Sequence, residues 1–244
     1  MRIEILCPEL CNLYGDMGNT DYLKASLPAD TEFIRTGLTQ KPAFADEDVD
    51  MIYIASMSEK SQERMIEKLR PFKARLENLI EKGVLILATG NAPEIFMDRI
   101  EVEDGTVIDA LGITPYYSKR KLRERNNSLY MGTFDDPEAG EITIVGYTSR
   151  FTFTYGVPES DGLFRNIKGD GNEPESSVEG FSKGGLVCTN LLGPLLVLNP
   201  DFMKYILRRL GAGDCTPAFY DDAKKAYEVR LNEFRGDIDF GTHC

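Results

Sequence analysis

The chain has 244 residues, with 40 acidic against 28 basic side chains and a formal net charge of −12. That length can bury a substantial core without covalent staples, and one large α/β domain is expected rather than two small ones. The charge disfavours non-specific binding to nucleic acid or an anionic membrane, and with no signal peptide and no apolar run near the ~20 residues of a membrane span, a cytoplasmic protein whose partners are proteins or small molecules is expected.

Arg2 to Cys7 reads as a first strand, followed by the loop Leu13-Tyr14-Gly15-Asp16-Met17-Gly18-Asn19 and a helix from Thr20 to Leu27, a β-loop-α opening. Glu32 to Thr36 predicts a second strand, and the apolar run Met51-Ile52-Tyr53-Ile54-Ala55 a strand buried on both faces. From Ser58 to Lys82 apolar residues recur at helical period, at Met65, Ile66, Leu69, Phe72, Leu76, Leu79 and Ile80, with Pro71 as a kink and Gly83 as the stop. Val84 to Ala88 is the most apolar strand; it breaks at Thr89-Gly90-Asn91 before a new helical start at Pro93-Glu94. Alternating strand and helix implies a parallel sheet with right-handed crossovers.

The second half predicts antiparallel additions at Ser128 to Thr133, Glu141 to Tyr147 and Phe151 to Tyr155, then a surface loop over Gly169 to Ser177, and a strand again at Gly185 to Thr189. Helices are expected over Asp201 to Leu210 and Ala218 to Phe234, giving one domain over residues 1–235 and a flexible tail over 236–244. The five cysteines, Cys7, Cys11, Cys188, Cys215 and Cys244, are odd in number and scattered, as in a reduced compartment. Cys7 and Cys11 have no second Cys/His pair at zinc-ligand spacing, so neither a metal site nor a cofactor is expected.

Three segments carry candidate binding roles. Tyr14-Gly15-Asp16-Met17-Gly18-Asn19 reads either as an anion-binding loop before a helix or as a tight turn with Asp16 and Asn19 as local caps. The single basic cluster, Lys119-Arg120-Lys121-Leu122-Arg123-Glu124-Arg125, suits a phosphate, a nucleotide or an acidic partner surface, against the simpler reading of a solvated loop. Phe151-Thr152-Phe153-Thr154-Tyr155 fits an alternating strand with one buried face better than a stacking platform for bases.

Taken in order, the first strand, Leu13-Tyr14-Gly15-Asp16-Met17-Gly18-Asn19, the apolar strand ending in a sharp turn, Ile144-Val145-Gly146-Tyr147, Gly169-Asp170-Gly171-Asn172 and Leu192-Gly193-Pro194 resemble the class I glutamine amidotransferases of the cobyric acid synthase (CobB/CobQ) type, and most of all the GatD-type subunits. The resemblance spans residues 1 to about 210. It implies a flavodoxin-like three-layer α/β fold, with a central mostly parallel sheet and antiparallel additions. It further implies a Mur-ligase-like partner of the MurT type, to which such subunits supply ammonia cut from glutamine for amidation of the cell-wall precursor lipid II.

That chemistry needs a cysteine thiolate on a strained strand-to-helix elbow, a histidine base and backbone N–H groups facing the oxyanion. The resemblance places the nucleophile at Thr89, the histidine at Leu192 and the oxyanion loop at Ala55-Ser56-Met57. The only histidine of the chain is His243. Losing either member of a nucleophile–base unit costs about a millionfold in rate, so a non-catalytic relative that binds or regulates its amidating partner is expected. Tyr14, Gly15, Asp16, Asn19, Ser56, Gly90 and Asn91 are its candidate ligand- or partner-binding residues. Two alternatives stand beside it: an active subunit using Cys188 or Thr89 as an unconventional nucleophile, and a sensor that takes a small-molecule ligand at the carboxyl ends of the strands.

Overall fold

The computed structural model describes residues 1–236 and the backbone of Gly241–His243. Strand β1 (Arg2–Leu6) leads through a loop into helix α1 (Gly18–Ser26), and strands β2 (Glu32–Thr36) and β3 (Met51–Ile54) follow. The long amphipathic segment divides at Pro71 as its sequence predicts, into α2 (Glu59–Leu69) and α3 (Lys73–Glu81) with one 3-10 turn between. Ser58 caps α2, its hydroxyl accepting the Ser61 N–H at 3.3 Å. The apolar residues of the two helices, Met65, Ile66, Leu69, Leu76, Leu79 and Ile80, are all buried.

β4 (Leu85–Thr89) is buried along its whole length. The turn after it opens a 3-10 segment, Ala92–Phe96, where the sequence led us to expect an α-helix. Strands β5 (Arg99–Val102), β6 (Val107–Asp109) and β7 (Tyr117–Arg120) come next, then the long hairpin β8 (Asn126–Asp136) and β9 (Gly140–Arg150), and β10 (Thr152–Tyr155). β11 (Phe164–Lys168), β12 (Val178–Glu179), β13 (Phe181–Lys183) and β14 (Leu186–Thr189) precede the terminal helices α4 (Leu195–Leu198), α5 (Pro200–Arg209) and α6 (Tyr220–Arg235).

The central sheet runs β13-β14-β4-β3-β1-β2. Its five strands β2, β1, β3, β4 and β14 are parallel, and β13 is an antiparallel edge on β14. This is the doubly wound order 2-1-3-4-5, whose direction reverses beside β1, and in such sheets ligands bind at the carboxyl ends of the strands. β3 and β4 read as continuous apolar runs because both their faces are covered. Two antiparallel-rich sheets are added: β10-β7-β5-β6, and a second built on β8, which pairs with β9 along one edge and with β11 on the other. Tyr227, Leu231 and Phe234 of α6 close over Met131 and Val145 of the hairpin.

No helix among the described residues is long and apolar enough to cross a membrane. Of the tail expected over 236–244, residues 237–240 and 244 lie outside the described residues; Gly241–His243 forms strand β15, antiparallel to Asn126–Ser128 of β8.

Candidate functional site

The carboxyl ends of β3, β4 and β14 meet the loop after β1 in a cleft of about 190 Å³. Tyr14, Ser56, Gly90, Asn91 and Leu192 line it; Gly15, Asp16, Asn19, Thr89 and Cys188 do not. Tyr14 stands half exposed at the mouth, its hydroxyl 2.9 Å from Ser149 Oγ and its ring edge-on to Tyr147. Gly15 takes a left-handed turn beside it with open space around its Cα.

Asp16 and Asn19 do not cap α1 with their side chains, since both are fully buried and tie distant segments together. Asp16 Oδ2 accepts the Ser56 N–H at 3.2 Å and the Thr89 hydroxyl at 3.0 Å. Burial raises its carboxyl above the usual range, and those hydrogen bonds oppose the shift. Asn19 Nδ2 donates to Tyr53 Oη at 2.8 Å, while its Oδ1 accepts the Leu196 N–H at the start of α4.

The strained turn after β4 falls at Gly90, where φ is +66°. Thr89, one residue earlier, is the last residue of the strand and points into the protein, with Asp16 and the Tyr53 hydroxyl 3.1 Å away as its partners. The side-chain direction aimed into the cleft therefore belongs to Gly90. A Cβ there would lie 2.5 Å from Ser56 Cβ and 2.9 Å from Leu192 Cδ2, closer than carbon atoms approach without displacement.

The loop after β3 is closed to a ligand in a second way. Besides the Ser56 N–H turned to Asp16, the Met57 N–H donates to Asn91 Oδ1 at 3.0 Å, and Asn91 Nδ2 returns a bond to Met57 O at 2.7 Å. Two donors that would have to face a developing oxyanion are thus directed into protein acceptors. Cys188 is buried in β14; burial and the nearby Glu179 carboxylate push its thiol well above the ordinary range, where it stays protonated. No imidazole lines the cleft among the described residues.

The opposite wall and floor are charged; the sequence singles out Arg120 and Arg125 in its basic cluster but not Glu94 or Arg150. Arg125 donates to the Tyr14 hydroxyl and, at 3.2 Å, to Ser149 Oγ, and it stacks over Phe151 at 4.3 Å. Glu94 is buried beneath; Oε1 accepts the Thr152 hydroxyl at 2.5 Å and Oε2 lies 3.4 Å from Arg120 Nη2. Burial raises the Glu94 carboxyl and Arg120 opposes that shift. Arg120 also meets Gln62 and, at 3.2 Å, Glu63. Arg150, which also lines the cleft, is 6% exposed, donates to Gly171 O and lies over the Phe153 ring at 4.6 Å, and its buried Nε and Nη1 have no hydrogen-bond partner. The only sequence signal for this wall was the basic cluster around Arg120 and Arg125.

No family model matches the chain. It is 26% identical over 204 residues, 81% of this chain and 79% of the relative, to the lipid II isoglutaminyl synthase (glutamine-hydrolyzing) subunit GatD of Staphylococcus aureus (strain N315). Among solved structures it is similar to PurLQS from Thermotoga maritima, with a TM-score of 0.57 at 13% identity over 96% of this chain and 99% of that one. A glutamine amidotransferase from the same organism gives 0.52 at 11% identity over 96% and 95% of the two chains. A further glutamine amidotransferase gives 0.53 at 11% over 85% and 98%. The chain thus has the glutamine amidotransferase fold and a sequence similar to GatD, which is the family its opening loop resembles.

Proposed function

We propose that this protein is a GatD-like, class I glutamine amidotransferase-type subunit that has given up glutamine hydrolysis and acts in the cytoplasm as the binding or regulatory partner of a Mur-ligase-like amidating enzyme. The similarity to the lipid II synthase subunit supports the pathway, and the fold shared with glutamine amidotransferases supports the scaffold. One observation carries the loss of chemistry: the elbow position that would present a nucleophile is Gly90, and the space its side chain would need is filled by Ser56 and by Leu192, which stands where the family's base is expected. With neither nucleophile nor base, the rate falls by a factor on the order of a million from that of an intact unit.

The inward-turned N–H groups of Ser56 and Met57 support the same reading, because a tetrahedral intermediate would find its donors already engaged. Against the active alternative, Thr89 is bonded to Asp16 and Tyr53 away from the cleft, and the Cys188 thiol is buried and protonated. The test is glutamate release from glutamine by the purified protein, alone and with a co-encoded ligase-like subunit. No release above a heat-treated control is expected in either case. Turnover abolished by Thr89→Ala or Cys188→Ala refutes the proposal and identifies the nucleophile.

A further inference from the structure

The alternating aromatic run of β10 is turned inside out. Thr152 and Thr154 are buried, whereas Phe151, Phe153 and Tyr155 take the half-exposed face. Register places Lys119 of β7 directly across from Phe153, and Tyr117 across from Tyr155. The basic segment that follows β7 then folds along these rings, and together they enclose a groove of about 520 Å³. Four cations, Lys119, Lys121, Arg123 and Arg125, line it against one carboxylate, Glu124, in a chain whose net charge is −12.

These cations are poorly neutralised. Lys119 has no ion pair among the described residues and is held over the Tyr155 ring at 4.8 Å and the Tyr117 ring at 5.7 Å. Arg123 is exposed and likewise without an ion pair among the described residues. Lys121 meets Glu124 at 2.9 Å, an exposed pair that an incoming anion can displace. Half-exposed rings with Arg125 at 4.3 Å from Phe151, Arg150 at 4.6 Å from Phe153 and Lys119 at 4.8 Å from Tyr155 form a mixed aromatic and cationic surface that takes a flat π-system and an anion together.

We propose that this groove is a binding site for a nucleoside phosphate, with the base on the Phe151, Phe153 and Tyr155 rings and the phosphates on Lys119, Lys121 and Arg123. A bare phosphate would make no use of the rings, and the carboxylates of an acidic peptide would meet the cations without bringing an aromatic ring to stack. A nucleic-acid strand is opposed by the acidity of the rest of the chain. The volume falls within the roughly 300–1,000 Å³ of small-molecule sites. The inference is independent of whether the cleft is catalytic, because the groove lies on the half-exposed face of the β10-β7-β5-β6 sheet; Arg125 and Phe151 alone line both spaces.

The experiment is calorimetric titration of the full chain with ADP, adenosine, pyrophosphate and hexaglutamate at low salt, repeated on Tyr155→Ala and on Lys119→Ala/Arg123→Ala, with thermal melting to verify that each variant is folded. Saturable one-to-one binding of ADP is expected, with adenosine and pyrophosphate each weaker, and a loss of roughly tenfold or more in both variants. Absence of ADP binding at about 1 mM, or binding that neither variant weakens, overturns the proposal. Pyrophosphate binding as tight as ADP would reduce the groove to an anion site without a base platform, and tighter binding of hexaglutamate would make it a docking surface for an acidic chain; either result also overturns it.

Discussion

Gly90→Ala tests the reasoning behind the empty elbow at its narrowest point. The substitution forces an L-residue into a backbone with φ +66°, costing about 1–2 kcal/mol, and places a methyl 2.5 Å from Ser56 Cβ and 2.9 Å from Leu192 Cδ2, an overpacking of about 1–3 kcal/mol. The two add to about 2–5 kcal/mol, which in a chain of 244 residues lowers the melting midpoint by roughly 4–20 °C. Chemical denaturation followed by circular dichroism measures the free energy, and Ser56→Gly completes a cycle. Ser56→Gly alone loses the hydroxyl bond to Leu13 O, but in the double variant it removes the nearer obstacle, so a favourable coupling of about 1–3 kcal/mol is expected. If Gly90→Ala is as stable as the parent to within about 0.5 kcal/mol, the elbow has room for a side chain and its proposed closure is refuted.

The same geometry predicts that Gly90→Cys/Leu192→His fails to restore glutamine hydrolysis, since the N–H groups of Ser56 and Met57 stay engaged; glutamate release above background in that variant would contradict it. Asp16 supplies a pH test. Its folded carboxyl is raised above the unfolded value, so its contribution to stability is fully present below the unfolded pKa, near 4, and is lost as pH rises through the folded value. Asp16→Asn should therefore flatten the decline in stability between acid and neutral pH, and an unchanged slope in denaturant titrations at several pH values would refute the assignment. Removing Arg120 as Arg120→Met strands the buried Glu94 charge, costing about 3–5 kcal/mol at neutral pH and less in acid, where Glu94 takes up a proton; a cost independent of pH would show that the pair is not what Arg120 supplies. Cys188 should resist thiol reagents until the protein unfolds, whereas the partly exposed Cys215 reacts in the native state, as peptide mapping after timed alkylation would show.

Much of the central sheet was legible because its strands are buried on both faces. Met51–Ile54 and Leu85–Thr89 are runs that few other structures accommodate, and Pro71 marked the break in the long helix. The strands Arg99–Val102 and Tyr117–Arg120 were not legible, because they are short and polar, and the second read as the start of a basic loop. Alternation in Phe151 to Tyr155 predicted the strand but not its orientation, since a period of two defines two faces without saying which one turns inward. The usual rule put the rings inside. They lie outside because the inner layer here is polar: Ser118, Arg120, Thr152 and Thr154 are buried together, and the Thr152 hydroxyl is committed to the Glu94 carboxylate.

The elbow shows the limit of reading a site by residue type. A hydroxyl at Thr89 invites assignment as a weakened nucleophile, but nucleophilicity requires direction as well as chemistry, and direction is fixed by the backbone angle of the next residue. Because Gly90 is the residue in the left-handed conformation, Thr89 remains in strand geometry and faces Asp16 and Tyr53, where its hydroxyl joins the loop after β1 to the sheet. The same inward bonding fixes the shape of the cleft: Asp16 accepts from the Ser56 N–H and the Thr89 hydroxyl, and Asn91 pairs with Met57, so the ends of β3 and β4 are held by protein groups. Across the cleft from these bonded groups stand Arg125 and Arg150, with the cation-lined groove beyond.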